Sequence, residues 1–290
     1  MTWRTVVIQS KAKLSYKNNY LIIRNENINM IHLSEINNLI IDSTAVTLTS
    51  YLISELLDRK IKVIFCNNQR NPIGEIMPYY GCHNSVKKIN EQINWDKEYN
   101  KVIWTRIVQE KICNQAELLK ELGNDNYKKL YDYAGQLKLF DKTNREGHAA
   151  KVYFNSLFGL DFSREKEIDV NIMLNYGYSI LLSQFNKEIV NNGLLTQLGM
   201  KHRNEFNQFN LSSDLMEPFR PLIDKIVYAN RERVFNGDIK IQLLEVLNKK
   251  VKIKKTDQYI TNAISIYVKS VIKAITQQDV SLIEFFKYEL

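Results

Sequence analysis

The stretch KHRNEFNQFNLSSDLMEPFRPLID, residues 201–224, holds one of the chain's four histidines and two of its four prolines. Asp214 and Glu217 stand three positions apart within it, and a helix beginning near Ser212 or Ser213 would present both carboxylates together. Each feature alone has an ordinary explanation. Acids near a helix start favour the dipole, and an isolated histidine such as His202 is commonly a surface or hydrogen-bonded residue. Pro218 is tolerated in an early turn, whereas Pro221 would distort regular pairing if it fell deeper.

A second stretch, TNREGHAAKVYFNSLFG at 143–159, puts Glu146, Ala149, Ala150 and Tyr153 on one helix face. The alanines leave room for another segment or a ligand beside the glutamate. His148 is turned to a different face, so Glu146 is the choice if this helix supplies a ligand. Thr143 and Glu146 also fit a capping box, the structural alternative. Together, one imidazole and two carboxylates with an open coordination face suit Mg²⁺ or Mn²⁺ better than structural zinc. Lys201, Arg203 and Arg220 flank the acids, and such a cationic rim would draw in a phosphate that bare carboxylates repel.

Two kinds of element must position these groups. The first 80 residues read as short strands, at 5–9, 13–16, 20–25, 28–32 and 38–43, separated by turn-prone KNN, NEN and SEINN. AVTLTSYLISELLDRK (45–60) predicts a helix and KVIFCN (62–67) a buried strand. Beyond about residue 90 the period becomes helical: 95–122, with Tyr99, Ile103, Ile107, Val108 and Ile112 on one stripe, then 167–190 and 261–275. The polar stretch GCHNSVKKINEQIN (81–94) marks the boundary. The expected class is therefore α+β, with a β-rich domain over 1–85 and a mainly α-helical domain over 86–290 carrying the metal site.

NKKVKIKK (248–255) reads as a strand with Val251 and Ile253 inward and Lys250, Lys252 and Lys254 outward, either a DNA track or a solvated edge. Tyr267, Val271 and Ile275 repeat at helical spacing as core. VSLIEFFKYEL (280–290) would dock on the body or across a dimer. His32 and His83 lie away from any acid cluster.

The net charge of +8 and pI near 9.1 favour a polyanionic partner. Cys66, Cys82 and Cys113 are widely spaced without a CxxC, which points to a reducing compartment rather than a disulfide scaffold. The opening MTWRTVVIQSKAK lacks the apolar core of a signal peptide, and no run is long enough to span a membrane; the expectation is a cytoplasmic protein.

REGHAAKVYFNSLFG (145–159), then His202, then SSDLMEPFRPLID (212–224) resemble the CRISPR-associated integrase that inserts new spacers, the first-numbered Cas protein. The opening MTWRTVVI and the length of 290 further resemble the version that accompanies type II systems. The resemblance spans essentially the whole chain. It implies a homodimeric, metal-dependent DNA integrase and endonuclease, with Glu146, His202 and Glu217 holding Mg²⁺ or Mn²⁺ and Asp214 as an auxiliary acid. Many relatives carry aspartate where Glu217 stands, one methylene shorter. The implied partners are double-stranded DNA (spacer precursor and leader-repeat), the small second-numbered Cas protein, and other type II adaptation factors. A structure-selective nuclease with water as nucleophile, and a basic DNA-binding scaffold, are the rival readings.

Overall fold

The computed structural model describes residues 4–68, 70–78 and 82–288. Met1–Trp3 of the opening motif, Gly81 of the boundary stretch and the last two residues lie outside the described residues. The class is α+β, β-rich at the N-terminus and helical thereafter.

The N-terminal half contains β1 (Arg4–Ile8), β2 (Ala12–Lys17), β3 (Tyr20–Arg24), β4 (Ile28–His32), β5 (Ile36–Ile41), β6 (Val46–Leu48), α1 (Ser50–Asp58), β7 (Lys62–Cys66) and β8 (Pro72–Ile76). They form two four-stranded sheets, in order β1-β5-β7-β8 and β4-β3-β2-β6. The KNN turn is a two-residue hairpin loop, with Asn18 and Asn19 both left-handed (φ 49° and 67°), as a turn matching the strand twist requires. Residues 45–48 leave the expected helix: Val46–Leu48 pair in parallel with β2, and the Thr49 side chain accepts from Leu52 N to start α1 at Ser50. β5 begins at Ile36, inside the expected SEINN turn.

β1, β5 and β7 run parallel. Alternate side chains of a strand face opposite ways, and here both faces are buried. Leu39, Ile41 and Val63 join the core shared with the other sheet, while Ile40, Ile64 and Cys66 join the core of the helical half. NLII is thus an unbroken apolar run because it is covered on two sides.

The polar boundary stretch contains a helix, α2 (Ser85–Ile93). The rest comprises α3 (Lys97–Glu121), α4 (Tyr127–Gly135), α5 (Arg145–Phe158), α6 (Asp169–Asn191), α7 (Asn210–Leu215), α8 (Arg220–Ala229), α9 (Gly237–Leu244), the hairpin β9 (Lys250–Ile253) and β10 (Thr256–Tyr259), and α10 (Ile260–Gln277). Ile103, Ile107, Val108 and Ile112 bury the expected stripe of α3, and Tyr267, Val271 and Ile275 that of α10. Val251 and Ile253 face inward on β9 as read. The C-terminal segment docks on the body: Phe286 is buried and Lys287 pairs with Lys252 across an isolated bridge. No helix among the described residues is long and apolar enough to cross a membrane.

Candidate active site

Glu146 is free for chemistry because another residue caps its helix. The side chain of Asp141 accepts from Arg145 N at 2.7 Å and Glu146 N at 3.0 Å, doing the work of an N-cap. The capping-box alternative therefore fails: Asn144 precedes α5 in a left-handed conformation, and the Thr143 hydroxyl is buried without a partner. The Glu146 carboxylate instead receives Lys111 Nζ of α3 at 2.7 Å.

Asp214 and Glu217 do not act together. α7 starts at Asn210, earlier than the sequence suggested, and gives way to a 3₁₀ turn at Glu217–Phe219 and then to α8. Pro218 and Pro221 fall at the beginnings of these two turns, where a missing N–H is harmless. The change of helix type rotates the two carboxylates toward different partners. Glu217, buried, meets Lys111 Nζ at 2.6 Å and Arg220 Nη2 at 3.0 Å. Asn114 of α3 donates to Pro218 O at 2.9 Å and pins the turn against the lysine-bearing helix.

Asp214, fully buried, accepts from the backbone N–H of Met200, Lys201 and His202 at 2.6, 2.9 and 3.1 Å, and lies 2.6 Å from His202 Nδ1. A carboxylate accepts only, so Nδ1 donates and the lone pair of the neutral ring is on Nε2, the arrangement expected of a metal-ligating histidine. The loop can wrap so closely only because position 199 is glycine: a Cβ there would sit 2.4 Å from His202 O and 2.9 Å from Asp214 Oδ2. Trp104 of α3 stands edge-on to the imidazole, with ring centroids 5.9 Å apart.

The electrostatics follow from these contacts. Burial alone would raise the Glu217 carboxyl, but Arg220, Lys111 and His202 outweigh it and hold it down at about 2. Lys111 is raised despite burial, because Glu217 and Glu146 flank it. The bond to Asp214 raises His202, against the opposing effect of burial. Lys111 thus carries its charge beside the ionised Glu217 carboxylate, with Glu146 on its other side.

The structure brings Glu146 and Glu217 onto one cation and places His202 within electrostatic range of Glu217. Among the described residues, no three His, Cys, Asp or Glu side chains stand close enough to grip a metal ion as they are. His148 is exposed near Tyr133, apart from these groups. Arg220, expected on a DNA-facing rim, is turned inward onto Glu217 and over the Tyr178 ring at 4.6 Å. Lys201 lies over Phe140 at 4.0 Å, while Arg203 and His202 line an open cleft of about 460 Å³ with Trp95, Lys97 and Gln197. Lys250 sits 5.4 Å from the Tyr259 ring centroid and Lys254 pairs with Glu284 at 3.7 Å, away from the carboxylates' partners. Lys111, Asn114, Asp141 and Gly199 escaped the sequence reading. For Lys111 a signal was present: it falls three and four positions after Val108 and Ile107, a charge on a buried stripe.

Comparison with known proteins gives this geometry its context. Residues 5–258 match the family model described as CRISPR associated protein Cas1. A CRISPR-associated endonuclease Cas1 of Neisseria meningitidis serogroup C is 35% identical over 262 residues, covering 88% of this chain and 86% of that protein. Among solved structures, a casposase bound to integration product has a TM-score of 0.76 at 22% identity, covering 100% of this chain and 92% of the other. A Cas6-RT-Cas1–Cas2 complex chain has a TM-score of 0.73 at 18% identity, covering 99% of this chain and 36% of that longer one. The match to the family model over most of its length, together with a Cas1 relative more than a third identical, makes this chain a member of the Cas1 family of CRISPR-associated proteins.

Proposed function

We propose that this chain is a divalent-metal-dependent DNA integrase of CRISPR adaptation, with associated endonuclease activity. One observation carries the reading: carboxylates from two separate motifs share a cation, beside an imidazole whose Nε2 is made available by a buried aspartate.

The residues fit a hard divalent ion. Glu217 Oε2 is buried and faces a cation, Lys111 Nζ, at 2.6 Å. The donor set of two carboxylates and one nitrogen suits Mg²⁺ or Mn²⁺. Glu146, His202 and Glu217 would hold the ion, which when bound supplies Lewis-acid charge to a phosphate oxygen. The chain's own groups do the rest. Arg220 keeps Glu217 ionised, Asp214 fixes the imidazole, and Lys201 and Arg203 present positive charge near the cleft mouth. In the reaction, a DNA 3′-hydroxyl attacks a phosphodiester of the leader-repeat region. One P–O bond forms and one breaks, the attacking proton is lost, and the displaced strand leaves with a new 3′-hydroxyl. Water in place of the 3′-hydroxyl gives cleavage.

The same reading makes the chain a homodimer working with Cas2 on double-stranded DNA, together with other type II adaptation factors; the likeness to a Cas6-RT-Cas1–Cas2 complex chain and to a casposase bound to integration product supports the Cas2 and DNA parts of it. Lys250, Lys252 and Lys254 are a secondary DNA-contact surface. A strand-transfer assay with Mn²⁺ and 3′-hydroxyl DNA ends tests the proposal. Glu146→Gln and His202→Ala are expected to lose joined product by at least about 100-fold while remaining folded. Wild-type yields from both would overturn it, and cleavage without joining would leave a nuclease.

A further inference from the structure

Lys111 lies between the very oxygens that the proposed metal would use. Its Nζ is 2.7 Å from Glu146 Oε1 and 2.6 Å from Glu217 Oε2, and its side chain is only 12% exposed. An ammonium is buried at this depth only where carboxylates compensate it. Glu146 comes from α5 and Glu217 from the turn before α8, so this one side chain joins two elements distant in sequence.

A divalent ion needs the same lone pairs. Mg²⁺ takes carboxylate oxygens at about 2.1 Å, and an ammonium in hydrogen-bond contact with those oxygens cannot share that space. Lysine is a point charge on a flexible four-carbon stem, able to swing aside without backbone movement. Arg220 and Asn114 meanwhile hold Glu217 and its turn from other directions, so the carboxylate keeps its place when the ammonium leaves.

We propose that Lys111 is a built-in counter-cation: it holds Glu146 and Glu217 together in the metal-free protein and is displaced from them when the divalent ion enters. The inference rests on the metal-site reading above and adds that ion affinity is set partly by this exchange. Lys111 is a positioning residue for the ligands.

The test compares metal-stripped wild type, Lys111→Met, Lys111→Gln and Glu217→Gln by thermal unfolding and by calorimetric titration with Mn²⁺ alone. Metal-free Lys111→Met should melt below wild type. Its Mn²⁺ affinity should be tighter by about tenfold or more, since no resident cation must first move away, and saturating Mn²⁺ should restore its melting temperature. Glu217→Gln should lose Mn²⁺ binding. Unchanged or weaker Mn²⁺ binding in Lys111→Met, with Glu217→Gln deficient, overturns the counter-cation role and leaves the metal site standing. Wild-type affinity in Glu217→Gln removes the metal site itself and the inference with it. If Lys111→Met and Lys111→Gln fold only with Mn²⁺ present, the ion is replacing the ammonium, which supports the proposal. Failure of both to fold even with Mn²⁺ overturns it.

Discussion

Asp224 and Glu217 are both buried acids, yet their neighbours drive them in opposite directions. Glu217 touches two cations and is held at about 2. Asp224 touches neutral hydroxyls: Tyr153 OH donates at 2.8 Å and Tyr178 OH at 2.5 Å. Burial dominates there and lifts it from 3.8 to about 6, with the two tyrosines, Arg220 and Arg164 only moderating the rise. The native state therefore keeps this proton to higher pH than the unfolded chain does. Stability from Asp224 is fully present below pH 3.8 and is lost as pH rises through about 6. Across that window the loss is about 3 kcal/mol at most. Asp224→Asn stays neutral throughout, so the melting temperature of wild type minus that of the variant should fall between pH 4 and pH 7. Parallel melting curves over that range would refute the assignment. Its titration depends on tyrosines far along the chain, which spacing could not reveal.

At the level of elements, the 197–203 loop matters because it delivers three backbone N–H groups to Asp214. Gly199→Ala would place a Cβ 2.4 Å from a backbone oxygen, and backbone cannot yield as a flexible side chain does. The variant should unfold about 2–3 kcal/mol more easily, the scale of an overpacked core site, and should bind Mn²⁺ more weakly because His202 loses its anchor. Denaturant titration and calorimetry check the two effects separately. The periods of α3, α6 and α10 were readable because burial imposes a regular stripe over many residues. β6, β8 and α2 were not: each is short, and partners rather than propensity fix it, as β2 does for β6. The parallel order β1-β5-β7 is non-local and leaves no mark in spacing. Within the site, the motif residues Glu146, His202 and Glu217 stood out by type. The switch from α7 to a 3₁₀ turn, which separates Asp214 from Glu217, did not, because two prolines mark a disturbance without giving its direction.

For the whole molecule, the question is what joins the β-rich half to the helices. Lys62 on β7 and Glu75 on β8 form a buried pair at 2.7 Å, and Glu75 also accepts from Ser183 at 2.7 Å and Asn186 at 3.3 Å on α6. Asn186 in turn accepts from Ser212 of α7, two positions before the aspartate that orients the imidazole. Lys187 adds bonds to Asn37 O at 3.0 Å and Oδ1 at 2.7 Å. Glu75→Ala strands Lys62 and should cost about 3–5 kcal/mol, whereas Lys62→Met with Glu75→Leu should recover most of that loss. Urea unfolding of the single and double variants measures it, and equal destabilisation of both would count against the pair. The middle strands of the β1-β5-β7-β8 sheet, dressed with Ile40, Ile64 and Cys66 on their far side, serve as a wall common to two rooms. An expression clone starting at residue 86 would lay bare the oily flank of α6 that this wall covers, inviting precipitation. The chemistry is consequently not a detachable cassette, and fusions or tags belong at the chain ends rather than between the halves.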